Sequence, residues 1–506
     1  MVPSSTFVFG LLVTWITPVW LLSVGVALGM AVLATLFGIV WLVSRSTAAM
    51  ALASIREGIL LPIFYLALAV SVFAVLGIVL VPEIPYRALI AAVPRIAVVG
   101  DVDRQYTIDP SVIDLKLDIT QGGQPLRQNE LQGFTAEADE AVSLSTNITA
   151  NIGQTLAVKL VPGQSFTWRR PFVTEKDRLP PSEAVEWLAT NVNTSPAKLR
   201  LRASTDIEFP EVRIVPATAI ALALLVAIYF ALEWVAPKVS AVAVTSAKEA
   251  MAQPLFYLAL GLGAFLLVAF IVIPYNTFGE DVKMLKDSGL TLIMVLAMIV
   301  AVWSASVSVS EEVEGRTALT VLSKPVHRRQ FILGKFLGVL GPVVVLFVLL
   351  GFLFLVTVSY KVVYDSREVA KSEPTWQLCY LEMIATLPGL VLAFLETVVL
   401  SAISVAISTR LPMLANLIVC ASIYVLGHLV PMLVNSSVGK FEIVRFVGQF
   451  IATVLPVLDH FNIQAAVAAG ATVPTSYLWM ALLYCVVYSS IAMLLGLAMF
   501  EDRDLA

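Results

Sequence analysis

Charge is what this sequence has least of. Asp, Glu, Lys and Arg make up 13% of its 506 residues and apolar residues 59%, against roughly 25% charged in a typical soluble domain. A soluble protein so composed has too little polar surface to cover its core. Lipid is the remaining solvent, and the chain reads as a polytopic membrane protein. Cysteine and histidine are scarce too, three of each. Cys379, Cys420 and Cys485 are too scattered for a disulfide framework or a zinc site, and His327, His428 and His460 lie far apart. The thirteen methionines form no Met-x-x-Met pair, so apolar filling explains them better than metal. No block of like charge suggests nucleic acid. The N-terminus lacks a basic n-region and an A-x-A site, so it is expected to be retained.

Catalytic signatures are also missing. Gly334-Lys335 has neither the upstream glycine spacing nor the following Ser/Thr of a phosphate-binding loop, so the chain is not expected to hydrolyse ATP. HExxH, GxSxG and paired intramembrane aspartates do not occur. No enzyme activity and no cofactor of its own is expected.

What charge there is has a pattern. Of 32 basic and 36 acidic side chains, 13 and 17 fall between Pro82 and Val212, while residues 1–44 carry none. One water-soluble insert therefore interrupts a membrane-embedded chain. A crossing needs about 20 helical residues, which gives nine spans: Trp20–Val43, Ile59–Val81, Val215–Ala236, Pro254–Pro274, Leu290–Ser310, Phe336–Tyr360, Leu387–Ser408, Leu417–Val434 and Tyr477–Phe500. Pro18 is expected to break the helix before the first, leaving residues 1–17 interfacial or re-entrant. Placing loops 44–58, 237–253, 311–335 and 409–416 and the tail inside gathers eleven basic residues there against eight outside. That bias puts the 82–212 insert outside the cytoplasm. Between Ser436 and Ser476 the apolar run Phe446–Leu458 is too short to span, so it reads as a re-entrant hairpin or, alternatively, a surface amphipathic helix.

The insert alternates. Ile113, Leu115, Leu117 and Ile119 interleave with polar residues, as do Val142, Leu144, Ile148, Ala150 and Ile152, and Leu199 and Leu201. Period two with one polar face marks half-buried antiparallel strands, here a single β-sandwich-like domain. Ser182 is expected to cap a short helix through Trp187 and Leu188. Asn147-Ile-Thr and Asn193-Thr-Ser match glycosylation acceptors, triplets that also arise by chance. The fold class is thus a polytopic α-helical membrane protein of about nine spans with an inserted extracytoplasmic β-sandwich-like domain. Its segments are 1–81 with two spans, 82–212 as the β-rich domain, 213–253 as third span and cytoplasmic linker, and 254–506 with six spans.

Chemistry concentrates in the loop from Glu311 to Lys335. Glu311, Glu312 and Glu314 open it, and Lys324, His327, Arg328, Arg329 and Lys335 close it. Leu319, Leu322 and Val326 share a helical face, acids suit a helix N-terminus, and Pro325 ends the helix. The outcome is either a stiff surface helix open to a partner or a basic loop touching lipid headgroups. Glu396, inside an apolar run, is either a substrate-path or gating residue or a neutral packing residue. Glu382, Asp459 and His460 lie near span ends, where headgroup contact explains them.

The set Glu311, Glu312, Glu314, Gly315, Arg316, Thr317, Leu322, Ser323, Lys324, Pro325, Val326, Arg328, Gly334, Lys335 and Gly338 resembles the cytoplasmic signature of ABC-2 type transporter permeases. The closest likeness is to the multicopper-enzyme-maturation branch, which includes the nitrous-oxide-reductase copper-site permease. The ending Phe500-Glu501-Asp502-Arg503-Asp504-Leu505 is similar to that branch's finish, and the likeness runs from about Lys248 onward. It implies an integral inner-membrane, multi-pass permease with a six-span core from residue 254 and a cytoplasmic C-terminus. It implies a coupling helix in 311–335 that docks a separate P-loop ATPase, and that partner binds the ATP and Mg. Arg329 belongs to the same docking stretch. A second permease pairs with the first, membrane lipid surrounds both, and export of a hydrophobic or envelope-related substrate is the usual direction. Three extra spans and the β domain depart from the minimal pattern. Two other readings are a secondary transporter, which needs several buried charges or an internal repeat, and a scaffold whose β domain binds an envelope partner. Neither buried charges nor a repeat is evident in the sequence.

Overall fold

The computed structural model describes residues 4–80, 84–121, 124–151, 154–169, 184–273, 280–311, 326–368, 373–435, 442, 446, 448, 450, 451 and 455–501. The chain divides into two units, Met1–Ile84 with Ala217–Ala506, and Pro85–Pro216.

The first unit is helical. Its elements are α1 (Ser4–Val43), α2 (Arg45–Arg56) and α3 (Leu61–Leu80), then, beyond the short α4 (Tyr86–Ala92) of the second unit, α5 (Ile214–Val235), α6 (Pro237–Ala252), α7 (Pro254–Val272) and α8 (Asp281–Ala305). There follow α9 (Arg328–Glu368), α10 (Trp376–Ile384), α11 (Leu387–Ser408), α12 (Met413–Asn435), α13 (Gln464–Ala468) and α14 (Thr475–Glu501). Among the described residues eight helices are long and apolar enough to cross a membrane, α10 and α11 counting as one. The ninth expected span, Leu417–Val434, falls on α12, whose apolar stretch Met413–Leu429 is shorter than the others. Expected breaks also move. Helix α1 runs from Ser4 straight through Pro18, so residues 1–17 are not a separate interfacial piece over their described length. The Thr17 hydroxyl beside that proline donates to the Val13 carbonyl at 2.6 Å.

Helices α8, α9 and α11 form the centre, with Leu290, Ile293, Phe331, Val343, Phe354 and Val399 all buried. Outer helices stay apolar toward the outside: Leu42, Val75, Trp234 and Leu494 are exposed. A helix hydrophobic all round belongs in lipid. Helix α9 approaches α6 through a row of glycines. A Cβ on Gly334 would lie 2.6 Å from Val242, on Gly338 2.6 Å from Ser246 and on Gly341 2.7 Å from Ala247. Small residues at such spacings let helix backbones come together. Within 436–476, much of the segment lies outside the described residues. Its described end is a 3-10 turn, Leu458–Phe461, followed by α13, and Leu458, Phe461 and Val467 are buried among the helices.

The second unit is a two-layer antiparallel structure. Its strands are β1 (Asp101–Ile108), β2 (Val112–Leu117), β3 (Thr120–Gln121), β4 (Gln124–Pro125), β5 (Leu131–Ala138), β6 (Val142–Asn151), β7 (Gln154–Leu160), β8 (Ser165–Arg169), β9 (Trp187–Asn191) and β10 (Ala197–Thr205). One sheet runs β1-β10-β5-β8 and the other β2-β9-β6-β7. Phe134 of the first meets Trp187 of the second edge-to-face at 4.7 Å, in a core shared with Leu199, Leu201, Val142 and Leu144.

Two strand-level expectations are corrected. The region of Trp187 is β9, not a helix capped by Ser182, which lies outside the described residues; Trp187, Ala189 and Asn191 alternate into the core. Ile113 and Leu115 are exposed although Leu117 and Ile119 are buried, because the β2–β9 register shifts between Val112 and Leu115, with positive φ at Ser111 and Asp114. The acceptor asparagines are engaged: Asn147 Nδ2 donates to Ala184 O at 2.9 Å, and Asn193 Nδ2 to Ala141 O at 2.8 Å.

Arg200 and Arg202 converge on Asp103 at 2.6 and 3.0 Å. The Arg200 hydrogen bond chiefly holds that carboxyl below the usual carboxylate range. Such a contribution is whole above the unfolded value of about 3.9 and fades as pH falls through the lowered folded value. Deeper, Arg95 and Glu130 pair with side chains only 7% and 4% exposed. Arg95→Ala is expected to destabilise this unit by about 3–5 kcal/mol, since it leaves a buried carboxylate unpaired, whereas Arg95→Met with Glu130→Leu costs far less. Denaturant unfolding followed by the β-sheet circular dichroism signal checks both.

Candidate functional site

Of the sequence-predicted residues, Arg328, Arg329, Gly334 and Lys335 stand in the first turns of α9. His327 precedes that helix, and Gln330 reaches back to accept its backbone N–H at 3.1 Å, half of a capping box. Arg328 donates from Nη1 to the Glu501 carbonyl at 2.9 Å and lies 5.9 Å from the Phe500 ring, which stacks on Phe331 at 5.7 Å. A guanidinium on the last carbonyls of α14 suits the helix dipole. The Phe500-Glu501 ending is thereby tied to the start of α9. Arg329 is exposed beside it. Gly334 packs on α6, and Lys335 is buried with its ammonium 5.5 Å from the Phe331 ring, so these two face the helix interior. Glu312, Glu314, Gly315, Arg316, Lys324 and Pro325 lie outside the described residues, as does the Glu311 side chain.

That loop is approached through a π-helical turn, Ser306–Glu311. Asn416 fastens it: its Nδ2 lies 2.8 Å from Ser306 Oγ, 2.8 Å from Ser404 Oγ and 2.9 Å from Ser408 Oγ, all buried. An amide nitrogen has two hydrogens for three hydroxyls, so the contacts share donors. Polar clusters of this kind join helices in lipid.

Glu396 sits mid-way along α11 and is 1% exposed. Its Oε1 is 3.5 Å from His428 Nε2 on α12, close enough for an ion pair when the imidazole is protonated but without hydrogen-bond alignment. A cavity of about 220 Å³ lies one turn further along both helices, walled by Leu400 and Tyr424.

Two buried cations escaped the sequence reading. Lys286 and Lys361 are both fully buried. Lys286 pairs with Glu382, so Glu382 is not merely a headgroup contact. Lys361 donates to the Ile271 carbonyl at 3.0 Å and is 3.5 Å from Asp281 Oδ2. The expectation that buried charges are lacking therefore fails. These pairs stand at the end of the bundle away from Arg328, joining the start of α8 to the end of α9 and to α10. Lys286 was legible only as a basic residue just before an assigned span. Beside it a cavity of about 660 Å³ is lined by Glu280, Asp365, Glu373 and Glu382.

Helices apolar on their outer faces, packed round a polar-stapled centre, define an integral multi-pass membrane protein. Residues 269–505 match the sequence model of a family described as ABC-2 family transporter protein. The match supports a membrane permease of an ABC transporter. No curated protein is similar to the chain at a significant level.

Glu382→Ala strands the Lys286 ammonium and is expected to lower Tm in detergent by several degrees. Adding Lys286→Met should recover most of that loss, because the cost lies in the unpaired charge.

Proposed function

We propose that the chain is the membrane-spanning subunit of an ABC-2 type ATP-driven transporter of the inner membrane. It exports or extrudes a hydrophobic or envelope-related substrate, powered by a separate P-loop ATPase that binds ATP and Mg. The family match over residues 269–505 carries this reading. The start of α9 is cytoplasmic, the Glu311–Lys335 stretch docks the ATPase, and the β unit faces outward. Lys324, Arg328 and Arg329 are its charged contacts, with the acids Glu311, Glu312 and Glu314 starting the coupling helix. Two permeases pair, ATP closes the ATPases, and the movement enters α8 and α9, which the π-turn and the glycine row link to the remaining spans. Allosteric drive of this kind needs an element with two arrangements that both sites bias.

The buried Lys286 and Lys361 do not favour a secondary transporter. Each is compensated and stands near a span end, where it staples helices.

Affinity purification from native membrane should recover the ATPase in stoichiometric amount. Reversal by Lys324→Glu with Arg329→Glu, sparing the Arg328 contact to α14, should cut that recovery about tenfold or more without changing helical content; unaltered recovery sinks the docking assignment. Glu396 is proposed as a substrate-path or gating residue. Glu396→Gln is expected to lower substrate-stimulated ATPase activity of the complex several-fold at unchanged Tm, and full activity would make it a packing residue.

A further inference from the structure

Arg329 has a second feature beside its exposure. It stands at the mouth of a groove of about 510 Å³ formed by α9, α11 and α14. From Arg329 the groove continues past Ile332, Phe336 and Leu340 on one wall, with Met493 and Leu497 opposite. Small side chains at Cys485, Ser489 and Ser490 leave its inner half wide. Ser490 Oγ is satisfied by the Val486 carbonyl at 2.7 Å, while the buried Ser489 Oγ has no hydrogen-bond partner among the described residues, so the inner half is apolar but for that one hydroxyl. Among the described residues no carboxylate lines the groove and none forms a salt bridge with Arg329, whereas its neighbour Arg328 is held by the Glu501 carbonyl.

The dimensions are informative. Arg329 to Leu340 is eleven residues of one helix, about 16 Å at 1.5 Å per residue. That is half of the roughly 30 Å hydrocarbon core of a bilayer. A cation above an apolar slot about half a hydrocarbon core in length matches an amphiphile with an anionic head and one acyl chain. We infer that this groove is a binding site for an anionic phospholipid of the leaflet at the Arg328 end, its phosphate on Arg329 and one acyl chain between α9 and α14. A second copy of the chain fits less well. An interface of two-fold symmetry presents the same patch on both sides, and among the described residues this one lines the groove with no acid for Arg329.

The inference rests on the membrane placement and not on the ATPase. It is therefore read on the purified full-length chain alone, by native mass spectrometry after exchange into detergent with equal phosphatidylglycerol and phosphatidylcholine. Wild type should retain one phosphatidylglycerol with about fivefold preference, the discrimination a single surface cation supplies. Arg329→Gln should abolish the preference and Arg329→Lys should keep it. Ser490→Phe, which fills the inner groove and leaves the charge, should reduce retention of both lipids, with circular dichroism confirming the fold of each variant. Equal retention of the two lipids by wild type overturns the inference, as does a preference that survives Arg329→Gln. So does a detergent-resistant dimer, lost on Ser490→Phe, that carries no lipid. Arg329 serves both proposals, so recovery of the ATPase from membranes is also read for Lys324→Glu alone, a residue not among the described ones that line the groove, and its loss there with lipid retention unchanged separates the two.

Discussion

The close approach of Gly334, Gly338 and Gly341 to α6 is the constraint on which the helical unit depends. It seats α9, 41 residues long and therefore about 60 Å from end to end, twice the thickness of a hydrocarbon core. A helix that long exceeds one crossing and can connect both surfaces. At one end it takes hold of α14 through Arg328, Phe331, Phe500 and Glu501; at the other, Lys361 reaches the last turn of α7 and Asp281 of α8. Side chains at the glycine positions would push α6 away, and with it the alignment of everything fastened to either end.

Charge inside this bundle follows from the same economy of polar groups. Lipid offers no water to an unpaired ion, so an ionisable residue in a span must pair, snorkel or face a cavity. Lys286 and Lys361 pair. Glu396 differs, since His428 is its single close partner among the described residues and stands off at 3.5 Å. It is the intramembrane group with most to gain from a change in its surroundings, which is why it is set beside transport and not beside stability.

Periodicity and composition made the large features legible. Long apolar runs identified the spans, and alternation identified β6 and β10 because one face of each is buried. The failures have physical causes. Pro18 signals a helix break in water, but in lipid the helix has no better state to adopt and continues. Trp187 with Leu188 looked helical after Ser182 because five residues are too few to show period two against a capping signal. Ile113 and Leu115 kept the alternation yet face outward, since the register shift that turns them depends on β9, a partner 70 residues away in sequence. Lys286 and Glu382, 96 residues apart, each resembled an ordinary span-end charge. Pairing across a bundle leaves no local trace. The residues proposed to dock the ATPase were readable only as a set of motif positions, and the structure separates those it describes into interior ones, Gly334 and Lys335, and exposed ones, Arg328 and Arg329.

The central claim is that the Glu311–Lys335 stretch touches a nucleotide-hydrolysing partner. Its most direct test places a photoactivatable cross-linking residue at Thr317, on the segment between the acids and the basic cluster, and irradiates native membranes. The account predicts one protein adduct whose peptides contain a phosphate-binding loop, with a yield that changes when ATP is trapped. Adducts to lipid alone, at the same yield with and without nucleotide, would contradict it.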